Sequence, residues 1–298
     1  MKFRSIFCLA ALIAALSMCV PVSAQIFYEI SGNGLEKPSY LFGTHHMAPL
    51  SITEKYGLDQ YIDQVSQVVG EIDLTQDQVA MALAMQPFMM APADSTLSKV
   101  LSPEDYEVVN ELFKKYAPIP GIDLRVFDAM KPMVVSTTIS VGIMGEQMPD
   151  YDAQNQLDTY LLKKGAEQDK KVVALETPAF QAEVLFGASP IAVQAEALVD
   201  MAKNPEELTD NTVRLNEAYM NGDLETMAKI SQEDDEAEAE FMEALLDRRN
   251  ADWLTKLPDI LQDGPSFIAV GALHLAGDKG IVEGLRNLGY TVTPVVAQ

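Results

Sequence analysis

Three histidines occur in this 298-residue chain, and they close two segments of the same form. His45 and His46 end the run Leu41-Phe42-Gly43-Thr44-His45-His46, and His274 ends Ala269-Val270-Gly271-Ala272-Leu273-His274. Each is an apolar run followed by Gly-x-x-His. Imidazole is the side chain best suited to bind a metal or move a proton near neutral pH. Two carboxylates share the setting: Glu71 follows Val68-Val69-Gly70, and Glu176 follows Val172-Val173-Ala174-Leu175. Two neutral imidazoles and one carboxylate supply three ligands to a divalent ion and leave positions open for water and substrate. Such an ion lowers the pKa of bound water and polarises a carbonyl. The second carboxylate then serves as general base or orients a ligand histidine. The alternative is that the histidines are hydrogen-bonded groups at strand ends. The glutamates would then be first-turn charges of the helices that follow, a reading that suits Glu176 just before Thr177-Pro178.

The elements that must position these residues can be read from the hydrophobic pattern. Ile26–Ile30, Tyr40–Phe42, Val68–Ile72, Lys171–Leu175, Ser266–Val270 and Tyr290–Val296 read as strands. Turn residues Ser31-Gly32-Asn33-Gly34 make the first two a hairpin. A polar helix is expected from about Thr53 to Gln67. Helical patterns fill most of the region from Gln76 to about Lys164, with Ser102-Pro103 as a helix start and breaks at Pro118–Gly121 and near Pro149. Met81, Met85, Met89 and Met90 read as adaptable core or groove filler in preference to copper ligands. Further helices are expected over Pro190–Leu261, with a break near Asn221-Gly222-Asp223, and over Ile281–Leu288. The fold class is α/β (α+β): a central mixed sheet with strands near both termini and a large helical insertion over about 75–165. If the strands carrying His46, Glu71, Glu176 and His274 run parallel, all four residues reach one sheet edge, where open α/β sheets bind ligands. Gly43 and Gly271 are expected to let the chain leave its strands at positive φ.

Composition narrows the function. Lys2 and Arg4, the apolar stretch Phe7–Met18 and Val22-Ser23-Ala24 before Gln25 form a signal peptide over residues 1–24. An exported protein, periplasmic or extracellular, follows; a lipoprotein cut at Cys19 fits less well, because Met18 is bulky. Both cysteines, Cys8 and Cys19, fall in this leader, so a mature chain from Gln25 has neither disulfide nor thiol nucleophile. The chain carries 21 basic and 44 acidic residues, for a net charge of −23. No basic patch offsets that charge, so nucleic acid and anionic lipid are not expected partners. The acidic run Glu233–Glu240 reads as a solvated helix face. No later run is apolar and long enough to span a membrane. Gly-x-Ser-x-Gly, His-Glu-x-x-His, phosphate-loop and dinucleotide motifs do not occur.

Taken in order, these pieces resemble the TraB/GumN family, which is related to the Tiki metalloproteases and more distantly to erythromycin-esterase and ChaN-like proteins. The matching segments are Leu41–His46, Val69-Gly70-Glu71-Ile72-Asp73, Leu175-Glu176-Thr177 with Gln181, Arg249-Asn250 ahead of a helix, Phe267–Gly277 and Leu288-Gly289-Tyr290 with Val292. They span about Tyr28 to Val296, so one such domain covers 25–298. The resemblance implies a pseudo-symmetric α/β fold and a metal-dependent hydrolytic site. His46, Glu71 and His274 would hold Mn, Co or Zn, with Glu176 and Arg249 beside them. Arg249 would stabilise an oxyanion or hold a substrate carboxylate. His45 stands where the family often has an apolar residue; it is an extra ligand, a supporting group or simply exposed. Arg248 competes with Arg249 for the arginine role. The expected activity is hydrolysis of a peptide or small-molecule substrate. The rival readings are a peptide- or haem-binding protein and an inactive scaffold of the same fold. The substrate and the oligomeric state are not legible.

Overall fold

The structure, a computed structural model, describes residues 25–297 apart from Pro118, Pro120, Pro149, Ala153, Gln154 and residues 232–235. The leader read over 1–24, with Cys8 and Cys19, lies outside the described residues, as does part of the acidic run.

Six strands form one mixed sheet: β1 (Phe27–Gly32), β2 (Ser39–Thr44), β3 (Gln67–Gly70), β4 (Lys171–Ala174), β5 (Ser266–Gly271) and β6 (Tyr290–Pro294). Their order is β4-β3-β5-β2-β1-β6. β1 and β2 are the expected hairpin, and β6 pairs antiparallel with the far side of β1. The four strands β4, β3, β5 and β2 are mutually parallel. β3, β5 and β2 are short apolar runs buried on both faces, whereas the edge strand β4 is only half-buried. Gly70 is in register with Ala269 and Ala174, and Thr44 with Gly271. The residues after those positions therefore leave the sheet along one edge.

The sheet core is aromatic at its centre. Phe27, Phe42, Tyr56 and Phe267 are fully buried, and Phe27 meets Phe42 edge-on at 5.7 Å. Such pairs add roughly 0.5–1.5 kcal/mol to their burial. Five helices bear on the site: α1 (Gln78–Met89), α2 (Leu157–Ala166), α3 (Pro178–Gly187), α4 (Pro205–Asn221) and α5 (Arg248–Asp263). α2 buries Leu161 and Leu162 against the sheet core, and α5 buries Trp253, Leu257 and Leu261 there. A second apolar cluster, with Val109, Phe113, Ile139 and Leu198, joins helices Pro103–Tyr116, Pro132–Gln147 and Ile191–Lys203 away from the sheet. Among the described residues no single helix is long and apolar enough to cross a membrane.

Three sequence expectations change. The helix read from Thr53 to Gln67 is two short helices, Ser51–Tyr56 and Leu58–Asp63, split at Gly57 (φ 60°). Gln67 belongs to β3 instead, where its amide donates to Ile260 O and Ser266 Oγ. Arg249 and Asn250 lie inside α5, not ahead of it. The break at Asn221-Gly222-Asp223 is as read: Gly222 adopts a left-handed conformation and ends α4.

Candidate active site

The glycines of the two Gly-x-x-His motifs are there for space, not for positive φ. Neither Gly43 nor Gly271 has a positive φ. A Cβ on Gly43 would lie 2.9 Å from Ala272 Cα, and one on Gly271 would lie 3.3 Å from Glu71 Oε1. The two motifs pack directly on each other at Gly43, where a side chain would push them apart, while a side chain at Gly271 would crowd Glu71 and His274.

Along this edge the parallel pairing runs on past the strands: Leu175 N donates to Gly70 O, and Glu176 N donates to Glu71 O at 2.9 Å. This places Glu71 and Glu176 side by side. Arg249, from α5, lies between them and is almost fully buried (3% exposed). Its Nε donates to Glu176 Oε2 (3.0 Å) and its Nη2 to Glu176 Oε1 and Glu71 Oε2 (2.6 Å each). Its Nη1 donates to Leu245 O and to His274 Nε2 (3.0 Å each). A guanidinium has five N–H donors, and all five are engaged. Arg249 therefore has none to offer an oxyanion or a substrate carboxylate, contrary to the role inferred from the resemblance; it positions Glu71, Glu176 and His274. Glu176 is equally committed, since Trp253 Nε1 donates to its Oε2 (3.2 Å). The first-turn reading of Glu176 is set aside too, because Thr177 Oγ1 accepts the Phe180 N–H that such a charge would take. Burial lifts the Glu176 carboxyl above its ordinary range, against the pull of Arg249 and Trp253.

Glu71 keeps some freedom. Its Oε1 accepts the Gly271 N–H (2.8 Å), and its Oε2 accepts from Arg249 and from Gln181 Nε2 (2.9 Å). One lone pair of Oε1 is left over, on the side of His274, whose Nε2 lies 3.8 Å away. Burial works to raise the Glu71 pKa, but the charges of Arg249 and His46 and the hydrogen bond from Gly271 outweigh it and hold the group below its usual value. The permanent charge among them is that of Arg249.

The two motif histidines are held alike and charged differently. Asn250 Nδ2 donates to His274 O and Lys279 O, so its Oδ1 is the acceptor for His274 Nδ1–H at 2.7 Å. His274 is buried under the Trp253 ring, with centroids 4.4 Å apart. Burial, with Arg249 beside it, lowers its pKa to about 4, so it is neutral at pH 7. His46 is open to solvent (72% of its side chain), and its Nδ1 donates to Asp158 Oδ2 at 2.9 Å. The Asp158 charge, and its hydrogen bond, raise His46 to about 9. Asp158, in the first turn of α2, also accepts from Thr44 Oγ1 (2.5 Å). Burial pushes Asp158 up, and the bonds from His46 and Thr44 bring it below the ordinary range.

The remaining residues sort clearly. His45 packs its ring on Tyr219 (5.2 Å between centroids), and its Nδ1 accepts the Met47 N–H within its own turn. Arg248 is exposed and pairs with Glu243, so the arginine of the site is Arg249. Asp158 was missed by sequence reasoning: it lies over a hundred residues from His46 and looks like an ordinary first-turn acid. Gln181 appeared only as part of the resemblance, and Asn250 only beside Arg249. A signal for Arg249 over Arg248 was available, since Arg249, Trp253, Leu257 and Leu261 fall at four-residue steps on one helical face.

The donor types suit a divalent ion. Asp158, Glu71 and Glu176 carry three negative charges against one permanent cation, Arg249. Both imidazoles are fixed through Nδ1 by a neighbouring side chain, as metal-ligating histidines commonly are. One lone pair of Glu71 Oε1 is free; His46 Nε2 would have to shed the proton it carries near neutral pH, and the lone pair of His274 Nε2 is taken by Arg249 and would have to be released. Among the described residues no three such groups already stand close enough together to enclose an ion.

The TraB/PrgY/gumN family model matches residues 26–294, nearly the whole chain. No curated protein and no solved structure matches it. The match takes in both Gly-x-x-His motifs, Glu71, Glu176 and Arg249, and this chain belongs to the TraB/PrgY/gumN family.

Proposed function

We propose that the protein is an exported metal-dependent hydrolase that cleaves a peptide or another small carbonyl substrate at this sheet edge. The observation that carries the reading is the matched anchoring of the two motif histidines: Asp158 holds His46, and Asn250 holds His274, each through Nδ1. That leaves Nε2 as the working atom of both rings, with Glu71 Oε1 3.8 Å from that of His274. His46, Glu71 and His274 would hold the ion, with Arg249 Nη1 giving up His274 Nε2. A divalent ion in such a position polarises a carbonyl and acidifies water. Asp158 and Asn250 keep the rings turned, and Glu176 and Trp253 keep Arg249 from swinging into the substrate space.

One contact favours a second reading. The bond from Arg249 to His274 Nε2 suits an acid–base hydrolase without metal, in which His46 moves a proton at Nε2 while Asp158 steadies its Nδ1–H. Calorimetric titration with Mn²⁺, Co²⁺ and Zn²⁺, paired with a peptide-library cleavage assay, separates the readings. Binding together with metal-dependent cleavage is expected. Cleavage that survives chelation, without binding, selects the acid–base reading. Metal binding or a haem Soret band without cleavage of any substrate overturns hydrolysis.

A further inference from the structure

The atom of His274 that an ion would use is already in use. Asn250 Oδ1 takes the Nδ1–H, so the lone pair of the ring lies at Nε2, and there it accepts from Arg249 Nη1 at 3.0 Å. The same guanidinium donates from Nη2 to Glu71 Oε2 at 2.6 Å. One protein cation therefore touches two of the three proposed ligands. Its charge meets the groups that the charge of an ion would meet.

Neither ligand needs this contact for its orientation. His274 keeps Asn250 at Nδ1 and the Trp253 ring beside it. Glu71 keeps the Gly271 N–H at Oε1 and Gln181 Nε2 at Oε2. Arg249, for its part, can let His274 go and still use four of its five N–H donors, on Glu176, Glu71 and Leu245 O. The bond to His274 is the one link of the network that can open alone. A histidine ligand is ordinarily contested by a proton, which a rise in pH removes. A guanidinium does not deprotonate in a protein, so this competitor leaves only by moving.

We infer that Arg249 is a built-in competitor of the ion: it occupies His274 Nε2, lowers the affinity of the site for metal, and admits only ions that bind imidazole well enough to displace it. This deepens the hydrolase proposal and rests on its metal reading. Mg²⁺ prefers oxygen and gains little from an imidazole nitrogen, whereas Zn²⁺ gains more. A purely structural role for Arg249 predicts the opposite sign, since a loosened site binds metal less tightly.

The test is calorimetric titration of the full chain with Zn²⁺ and with Mg²⁺. The main variant combines Arg249→Met with Glu176→Gln, which removes a cation and its buried counter-charge together and leaves a carbonyl oxygen for Trp253 Nε1. Circular dichroism is the folding control. Zn²⁺ should bind this variant roughly 10–100-fold more tightly than wild type, the equivalent of one hydrogen bond to a charged group. Mg²⁺ should change far less. Adding His274→Ala should abolish the gain, which separates it from binding to the acidic surface at large. If the double variant does not fold, wild type decides: the magnetisation-transfer contact between Arg249 Nη1–H and the His274 ring should disappear as Zn²⁺ is added, and its persistence at saturation overturns the inference. So does an equal gain for Mg²⁺, because the lost charge and not the freed nitrogen would then be the cause. Wild-type Zn²⁺ binding with no gain in the folded variant sinks this inference alone. No Zn²⁺ binding by any variant sinks the metal reading, and this inference with it.

Discussion

The two Gly-x-x-His motifs share a local sequence and differ in nearly everything physical. His46 lies open to water, paired with a carboxylate and driven toward the charged form. His274 lies under an indole with a guanidinium against its Nε2, and is driven toward the neutral form. The strands deliver both rings to one edge, and what packs behind each ring decides its charge. A shared sequence form sits in two different settings: one imidazole is open to exchange protons with solvent, and the other is part of a buried ionic network.

The largest effect should come from removing the group that makes the second motif what it is. Arg249→Met deletes the cation shared by Glu71, Glu176 and His274, and leaves Glu176 buried without a counter-charge. Breaking a buried pair from one side costs about 3–5 kcal/mol, read as a fall in the urea midpoint. A loss below about 1 kcal/mol would mean that the network is not a structural keystone, and the contrast between the motifs would fade.

Smaller, and directly comparative, is the pair His46→Ala and His274→Ala. Both should abolish metal binding if the rings are ligands. Only His274→Ala should destabilise, by about 1–3 kcal/mol, because Arg249 Nη1 and Asn250 Oδ1 lose a buried partner. His46→Ala breaks a solvent-screened pair worth roughly 0.2–1 kcal/mol. Equal destabilisation by the two variants would refute the asymmetry.

Much of this site was legible because short buried strands announce themselves. Short apolar runs before Gly43 and Gly271 and around Gly70 mark the strands, although the third, expected to run on to Ile72, ends at Gly70, and a shared edge follows once the strands are parallel. What could not be read was anything set by packing between distant elements. Asp158 reaches His46 only because α2 lies along β3, and nothing local distinguishes it from other acids at helix starts. The role of Arg249 was misjudged for a similar reason: a sequence supplies the cation but not the count of its committed N–H groups. The Gly57 break was missed because a helical pattern continues across it, and a single glycine in the left-handed region turns the chain where composition gives no warning.

The smallest effect on stability, and the most discriminating, should come from Asp158→Asn. With only three histidines, each ring proton can be followed by NMR across pH. In wild type, His46 should titrate near 9 and His274 near 4, with His45, desolvated against Tyr219, also near 4. The two motifs then link to stability with opposite sign. The raised pKa of His46 contributes stability that is complete below its unfolded value of about 6.5 and is lost as pH rises from there toward 9. The depressed pKa of His274 contributes stability that is complete above about 6.5 and is lost as pH falls toward 4. Asparagine can still accept the Nδ1–H but carries no charge, so the His46 titration should fall toward 6.5 while His274 stays near 4. The alkaline loss of stability should vanish and the acid one remain, with a change at neutral pH of under about 1 kcal/mol because His46 is open to solvent. Metal affinity should weaken about 10–100-fold, the usual cost of losing an outer-shell carboxylate. If the variant instead moved the His274 titration as far as that of His46, the two rings would form one coupled unit, and the division of labour drawn between them would be wrong.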